Sequence, residues 1–170
     1  MTIIIHILVV TSAVLLATWS QAQESRTVAI ETTALSMSEA LTAARTAISS
    51  CEADGYRVVA IVLNPEGNTQ IFLRGDGTTS YAIDSARMKA YTLANLGPIR
   101  DTATSSGLAN SILSSGNSNP QLSNIPGMLL VGGAVMIVKD GKRAGVLGVA
   151  GAPGGNLDET CATAGVDAIQ

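Results

Sequence analysis

The chain has 170 residues, of which 46% are hydrophobic, 14% are charged and 3% are aromatic, and its formal net charge is −3. A chain of this length and composition can bury the core of one domain, which excludes an intrinsically disordered protein, and its acidic balance without a Lys/Arg run argues against a nucleic-acid partner. The single histidine, His6, lies in a segment that we predict to be removed, which excludes a Ser-His-Asp triad and imidazole metal ligands in the mature chain.

Residues 1–22 are predicted to form a secretory signal peptide. An apolar run over residues 3–17 is followed by Ser20 and Ala22, small residues three and one positions before a cleavage site after Ala22. The alternative is a retained membrane anchor, but as a helix the run spans only about 25 Å, less than the roughly 30 Å hydrocarbon core. We therefore expect a secreted or periplasmic protein with no stable membrane insertion after cleavage.

Residues 23–34 are predicted to be an N-terminal extension, and residues 35–170 a single domain that contains both cysteines, Cys51 and Cys161. Because an oxidising compartment permits a disulfide, the two can be joined, which would stabilise the fold by about 4 kcal/mol in the chain-entropy model. The alternative, which the usual place of free cysteine favours, is two small buried residues on helices. CxxC spacing is absent, so a zinc or iron–sulfur site has no basis.

The domain is predicted to begin with a helix and a β-hairpin. Ser36 and Glu39 have capping-box spacing, and Gly55 ends the helix. The apolar residues that mark one helix face are Leu41, Ala44, Ile48 and Cys51. Strands over residues 58–63 and 69–74 flank a turn cluster, which predicts that they pair.

A second helix is predicted from Tyr81 to Asn95, with Gly97-Pro98 as its stop signal. Residues 101–124 are rich in Ser, Thr and Asn, which indicates a short helix and a polar loop that could act as a lid. Residues 128–131 are apolar and precede a bend at two glycines.

The last part of the chain is predicted to be a hairpin and a helix. Strands over residues 134–139 and 143–150 flank Asp140-Gly141, the strongest hairpin signal in the sequence. A glycine-rich loop then opens a helix capped by Asn156. Hairpins rather than alternating βα units imply an α+β fold, with helices packed on an antiparallel sheet.

The glycine-rich loop is the first candidate ligand site, through Gly151, Gly154 and Gly155. Free N–H groups and the helix dipole favour an anion at such a place. Asp158 and Glu159 in the first turn already complement the dipole and repel an anion. A tight turn with acidic capping is therefore the alternative, and local chemistry favours it.

A second group of candidates begins with Arg74 and Asp76 in a glycine turn. Arg74 can clamp a carboxylate, whereas Asp76 can equally hydrogen-bond its own turn. Tyr81, Ser85 and Lys89 lie four residues apart on one helix face. A Ser–Lys pair can support nucleophilic catalysis if the lysine is desolvated, although such pairs are more often solvated surface.

Residues 35–169 resemble the GlcG/HbpS family of haem-binding-type proteins. The segments that carry the resemblance are residues 85–92 (SARMKAYT), 74–77 (RGDG) and 151–155 (GAPGG), the last running into 158–162 (DETCA). The resemblance implies a profilin-like fold, a five-stranded antiparallel sheet with helices packed on it. It also implies homo-oligomers and haem or a related tetrapyrrole as ligand, and haem breakdown has been ascribed to the family as well.

One departure from the family concerns the haem iron. Relatives often have a histidine just after the Gly-Asp-Gly turn, where this chain has Thr78-Thr79-Ser80-Tyr81. Tyrosine is a proximal haem ligand in other proteins, so Tyr81 is the most economical substitute. The propionates would then contact Arg74 or the amides of the 151–155 loop, and the second helix could supply a flat apolar wall.

The sequence thus predicts an exported, oligomeric module that binds a small ligand, with haem as the leading candidate and no assigned catalytic residue. One alternative is an enzyme that acts on a small acidic metabolite through Lys89 and Ser85, with Arg74 as a carboxylate clamp. Another is a partner-sensing module that has lost its ligand.

Overall fold

The structure, a computed structural model, describes residues 32–114 and 119–170. The predicted signal peptide, His6 and most of the predicted extension lie outside the described residues. The elements follow in the order α1 (Met37–Ala53), β1 (Val59–Leu63), β2 (Thr69–Arg74), α2 (Tyr81–Arg100), α3 (Ser105–Leu113), a 3₁₀ helix (Pro120–Asn124), β3 (Ala134–Lys139), β4 (Lys142–Ala150) and α4 (Gly155–Asp167). Within the described residues, no helix combines the length and apolar character that a membrane span needs.

Within the described residues, the sheet has four strands in the order β2-β1-β4-β3, and every pair is antiparallel. The α+β class and both predicted hairpins are therefore confirmed. The family resemblance implied five strands, and this number is wrong for the part of the chain that the structure describes. Residues 128–131 do not join the sheet, because the amide of Leu129 bonds to Thr92 Oγ1 instead. The outer side of β3 is instead contacted by Ala103, whose carbonyl accepts from the amide of Met136 at 2.8 Å.

Two hydrophobic layers lie on opposite faces of the sheet, and β1 is buried on both. Ala60 and Val62 of β1 face the layer that includes α1 and α4, whereas Val59, Ile61 and Leu63 face α2 and α3. This explains why β1 is a continuous apolar run rather than an alternating one, since neither of its faces meets water.

The first helix begins as its sequence predicts. The side chain of Ser36 accepts from the amide of Glu39, and the carboxylate of Glu39 accepts from the amide of Ser36 at 2.9 Å. Its fully buried face is shifted from the predicted stripe, because Leu41 and Ile48 lie at the edge of the core. The fully buried residues are Ala40, Ala43, Ala44, Ala47 and Cys51.

The second helix does not stop at Gly97-Pro98 but continues to Arg100, so the predicted end is wrong. A proline has no N–H to donate to the carbonyl four residues earlier, which is that of Ala94. In this protein the guanidinium of Arg143, on β4, donates to that carbonyl at 2.9 Å. The helix therefore tolerates Pro98 because a distant side chain takes over the missing hydrogen bond.

The last helix begins two residues earlier than predicted. Its N-cap is Gly154, whose carbonyl accepts from the amides of Leu157 and Asp158, and Asn156 lies exposed inside the first turn. The prediction of Asn156 as the cap is wrong, because the backbone leaves the extended conformation after Gly154 and Asn156 already lies within the helix.

Cys51 on α1 and Cys161 on α4 are joined by a disulfide, with their Cα atoms 5.5 Å apart. Of the two possibilities that the sequence leaves open, free cysteines and a bridge, the structure has the bridge. Both residues are nevertheless buried on helices, with exposed fractions of 0% and 1%. The disulfide therefore joins α1 to α4 inside one of the two hydrophobic layers.

Candidate functional site

The turn between β2 and α2 holds the side chain of Arg74 in place and leads into Tyr81. The Nε and Nη2 atoms of Arg74 both donate to the carbonyl of Thr78. The hydroxyl of Thr78 is buried and donates to the carbonyls of Gly75 and Val58, at 2.7 and 3.1 Å. The turn is thus bonded both to itself and to the residue before β1. The guanidinium of Arg74 is held at the carbonyl of Thr78, three residues before Tyr81.

Arg57, for which the sequence contains no motif, contacts the same turn. Its Nη1 donates to the carbonyl of Asp76 at 3.1 Å, and its side chain lies 3.2 Å from where a Cβ on Gly77 would be. Its own carbonyl lies 2.3 Å from where a Cβ on Gly151 would be. Arg57 therefore brings the Gly-Asp-Gly turn and the glycine-rich loop together, which no spacing in the sequence reveals.

The glycine-rich loop needs glycine because its backbone touches other backbone. Gly151 has φ +134°, and a Cβ on Gly155 would lie 2.6 Å from the carbonyl of Gly132. One loop amide, that of Ala152, donates to Oδ1 of Asp158 at 2.9 Å. Asp158 thus uses one of the loop amides that were predicted to bind an anionic ligand. Gly154 and Gly155 remain partly exposed.

Lys89 and Asp158 form a buried ion pair between α2 and α4. Nζ of Lys89 lies 2.6 Å from Oδ2 of Asp158 and donates to the carbonyl of Val149 at 3.3 Å, and the two side chains are 4% and 3% exposed. Burial raises the pKa of Asp158, an effect that the hydrogen bonds from Lys89 and Ala152 oppose. A Cβ on Gly133 would lie 2.7 Å from Nζ, so the glycine leaves room for the ammonium group.

The predicted Tyr81–Ser85–Lys89 face is therefore not one continuous surface. Tyr81 is 63% exposed, Ser85 is half-buried and Lys89 is 3% exposed. Since the ammonium group of Lys89 is paired and shielded from water, the structure does not bring it to a ligand as a nucleophile. Its burial depends on Asp158, 69 residues away, and the sequence offered no local signal for it.

Glu159 has a structural role that the sequence does not reveal. Its Oε2 accepts from the amides of Ser106 and Gly133, at 3.0 and 3.2 Å, and from the hydroxyl of Ser105 at 3.2 Å. A carboxylate at this place satisfies an otherwise unpaired donor in the first turn of α3. Glu159 therefore fixes α3 and the bend at Gly133 to the last helix.

An exposed surface, which we call the β2–α2 surface, comprises Phe72 and Arg74 on β2 and Tyr81 at the start of α2. Phe72 and Arg74 pair with Ile61 and Val59, so they lie on the sheet face that α2 covers. Because α2 packs over β1, β3 and β4, Phe72 stays 43% exposed. This surface combines an aromatic ring, a guanidinium and a phenol.

A cavity of about 510 Å³ lies elsewhere, between residues 32–35 and residues 64–70. Its lining is mostly hydroxyl and amide groups, and it includes none of the predicted site residues. Within the described ranges, no three His, Cys, Asp or Glu side chains group to hold a metal ion.

The family model described as "Haem degrading protein HbpS-like" matches residues 35–167. The chain belongs to the HbpS-like family. A crystal structure of a double mutant of Streptomyces reticuli HbpS is 37% identical, covers 81% of this chain and 88% of its own, and has a TM-score of 0.71. A crystal structure of HbpS gives 36% identity, 81% and 92% coverage, and a TM-score of 0.72.

A solved structure of lower sequence identity shares the fold. The crystal structure of a PduOC:heme complex is 19% identical, covers 81% of this chain and 96% of its own, and has a TM-score of 0.70. No curated protein sequence matches the chain.

Proposed function

We propose that this protein is an exported HbpS-like module that binds haem or a related tetrapyrrole at its β2–α2 surface. The observation that carries the proposal is the convergence of two guanidinium groups, those of Arg57 and Arg74, on the turn that leads into Tyr81. The family description and the PduOC:heme neighbour support haem as the ligand class.

The β2–α2 surface, together with Arg57 on the turn between β2 and α2, would meet the three needs of haem: an apolar contact, partners for two carboxylates and a ligand for the iron. Phe72 offers an exposed ring. Arg57 and Arg74 each donate to a single backbone carbonyl and keep further N–H groups for the propionates. The described residues contain no histidine, and the exposed phenol of Tyr81 would offer its oxygen to the haem iron. Bound haem would contribute an iron centre for ligand binding or redox chemistry.

The glycine-rich loop plays the smaller part in this proposal. Its Ala152 amide is occupied by Asp158, and its glycines at 151 and 155 pack against backbone, so the arginines rather than the loop would hold the propionates. A separate enzymatic role through Lys89 and Ser85 is not proposed, because the ammonium group is held in a buried pair.

Export is the second part of the proposal, and the disulfide supports it. Disulfides persist in oxidising compartments and are rare in the cytosol of most organisms. We expect the exported protein to begin at Gln23 and to carry the Cys51–Cys161 bridge. Mass spectrometry of protein recovered from the periplasm or medium tests both features at once, and an uncleaved chain in the cytosolic fraction would contradict the proposal.

The binding test is a haemin titration of the exported protein, followed by its Soret absorbance. We expect saturation at one haem per chain, and the Tyr81→Phe variant should shift the Soret band and weaken binding tenfold or more. Tyr56→Phe is the matched control, because Tyr56 packs against the opposite hydrophobic layer. Equal spectra for the two variants would remove Tyr81 as ligand.

The same titration distinguishes haem binding from two alternatives, haem degradation and a module that binds no haem. Slow loss of the Soret band after addition of a reductant in air would indicate that haem is degraded as well as bound. A protein whose spectrum never changes on haemin addition would instead be a module without this ligand, and the proposal would fail.

A further inference from the structure

The cavity of about 510 Å³ lies at the end of the sheet where β1 ends and β2 begins. Residues 32–35 form its first wall, and residues 64–70 form its second wall. None of the four residues that we assign to haem lines it, so the cavity is separate from the proposed haem surface. Its volume falls within the about 300–1,000 Å³ that small-molecule sites usually have.

An irregularity of the β1–β2 hairpin joins the two walls. The pairing register shifts between Val62 and Leu63, which leaves Gln70 without a partner on β1. The side-chain amide of Gln70 donates instead to the carbonyl of Leu35 at 2.6 Å, across the cavity from its own strand. Bulges of this kind occur preferentially beside functional sites, where they redirect a side chain.

Hydrogen bonds hold both walls in place without a ligand. The amide of Thr33 donates to the carbonyl of Arg143 at 2.9 Å, which fixes the first wall to β4. In the second wall, Oδ1 of Asn64 accepts from the amide of Asn68 at 2.8 Å, and the amide of Asn64 donates to the carbonyl of Asn68 at 2.9 Å. A ligand therefore does not have to order either wall, which lowers the cost of binding.

Polar side chains without a hydrogen-bond partner among the described residues surround the cavity. They are the side chains of Thr32, Thr33, Glu66, Asn68 and Thr69. The hydroxyl and amide groups among them can both donate and accept, as each hydroxyl of a sugar can. In the described part of the chain, Glu66 is the only charged residue of the lining, so an anion finds no cationic partner there. A single exposed carboxylate also gives an amine little to bind.

We propose that this cavity binds one ring of a neutral sugar, either a free monosaccharide or a unit of a glycan chain. Leu35 and Pro65 are buried lining residues and offer apolar surface to the C–H groups of the ring. The unpaired side chains of the lining then bond to its hydroxyl groups. Because these hydrogen bonds replace bonds to water and no aromatic ring lines the cavity, we expect a dissociation constant in the millimolar range.

Nuclear magnetic resonance of the ¹⁵N-labelled, haem-free exported protein tests the proposal with the methyl glycosides of glucose, galactose, mannose and N-acetylglucosamine. At least one of them should shift the side-chain amide signals of Asn68 and Gln70, and the shifts should saturate. Sorbitol, an open-chain polyol, is the control ligand. Signals that stay unchanged with every glycoside, equal shifts with sorbitol, or saturation by inorganic phosphate or spermidine instead would overturn the proposal. If a trisaccharide of the bound sugar binds more tightly than its methyl glycoside, the source is a glycan chain, and equal affinity indicates a free sugar.

Two variants distinguish loss of the sugar site from loss of folding. Thr69→Val removes a hydroxyl with little change in shape, and Asn68→Ala removes an exposed amide group but keeps the backbone bonds of the turn. Each should weaken binding threefold or more without a change in the thermal melt. Thr160→Val is the matched control, since Thr160 is exposed on α4, outside the cavity. Equal affinities for all three variants would contradict the proposal. Tyr81→Phe should bind the sugar like the wild type, so a failure of the haem proposal leaves this test intact.

Discussion

Replacing Lys89 by methionine tests whether the buried ion pair organises this fold. The variant leaves the carboxylate of Asp158 buried, with the amide of Ala152 as its remaining partner. Removing one member of a buried pair typically costs about 3–5 kcal/mol, because the other charge stays desolvated. We therefore expect the free energy of unfolding to fall by about that amount at pH 7.

The pH dependence of this loss is the sharper part of the prediction. Burial already raises the pKa of Asp158, and removal of the ammonium group raises it further. When the pKa of a carboxyl group is higher in the folded state than in the unfolded state, the folded state binds the proton first as the pH falls. The folded state therefore gains stability until the pH reaches the pKa of the unfolded state. The deficit of Lys89→Met should therefore shrink between pH 7 and pH 5, as the carboxyl group becomes neutral.

Urea unfolding of the wild type, Lys89→Met and Lys139→Met at both pH values measures this effect. Lys139 is the matched control because it also pairs with a carboxylate, that of Glu39, at 2.6 Å, but its side chain is 42% exposed. Its loss should change the unfolding midpoint little, since exposed pairs are weak. A cost for Lys89→Met no larger than that for Lys139→Met, or one that does not change with pH, would refute the reasoning.

Three further outcomes follow from the described contacts. Gly151→Ala should lower the free energy of unfolding by about 3 kcal/mol or more in thermal melts, because the new Cβ would lie 2.3 Å from the carbonyl oxygen of Arg57. Gly55→Ala is the control: its Cβ meets nothing within 4 Å, so it should cost only about 1 kcal/mol of backbone strain. The hydrogen bonds from Lys139 and Ser36 lower the pKa of Glu39 from 4.5 to about 2. Its contribution to stability, small because the pair with Lys139 is exposed to solvent, is complete above about pH 4.5 and is lost as the pH falls towards 2. Glu39→Gln should therefore slightly flatten that part of an acid titration followed by circular dichroism. The Cys51→Ala/Cys161→Ala double variant should lose about 2–5 kcal/mol in urea unfolding, and an unchanged midpoint would mean that the bridge is absent from the purified protein.

The sequence predicts most accurately the features that depend on neighbouring residues. The capping box at Ser36 and Glu39 and the hairpin at Asp140-Gly141 are confirmed, because three or four consecutive residues contain all the interacting groups. The order of helices and strands follows from the same local patterns. The α+β class could therefore be predicted before any tertiary contact was known.

The features that the sequence missed depend on pairs that are distant along the chain. Pro98 looks like a helix stop until Arg143 supplies the missing donor. Lys89 looks like a surface residue until Asp158 is placed beside it. Arg57 has no motif at all, and only the packing of two loops against it shows its position at the candidate site.

The Cys51–Cys161 bridge makes most of the domain a covalent ring. All four strands, together with α2 and α3, lie between the two cysteines. A protease that cuts once anywhere in the loops between them, including the exposed stretch before β3, would leave the two fragments tied to each other. Where proteases are abundant, a nicked molecule would therefore stay in one piece until a reductant reached its interior.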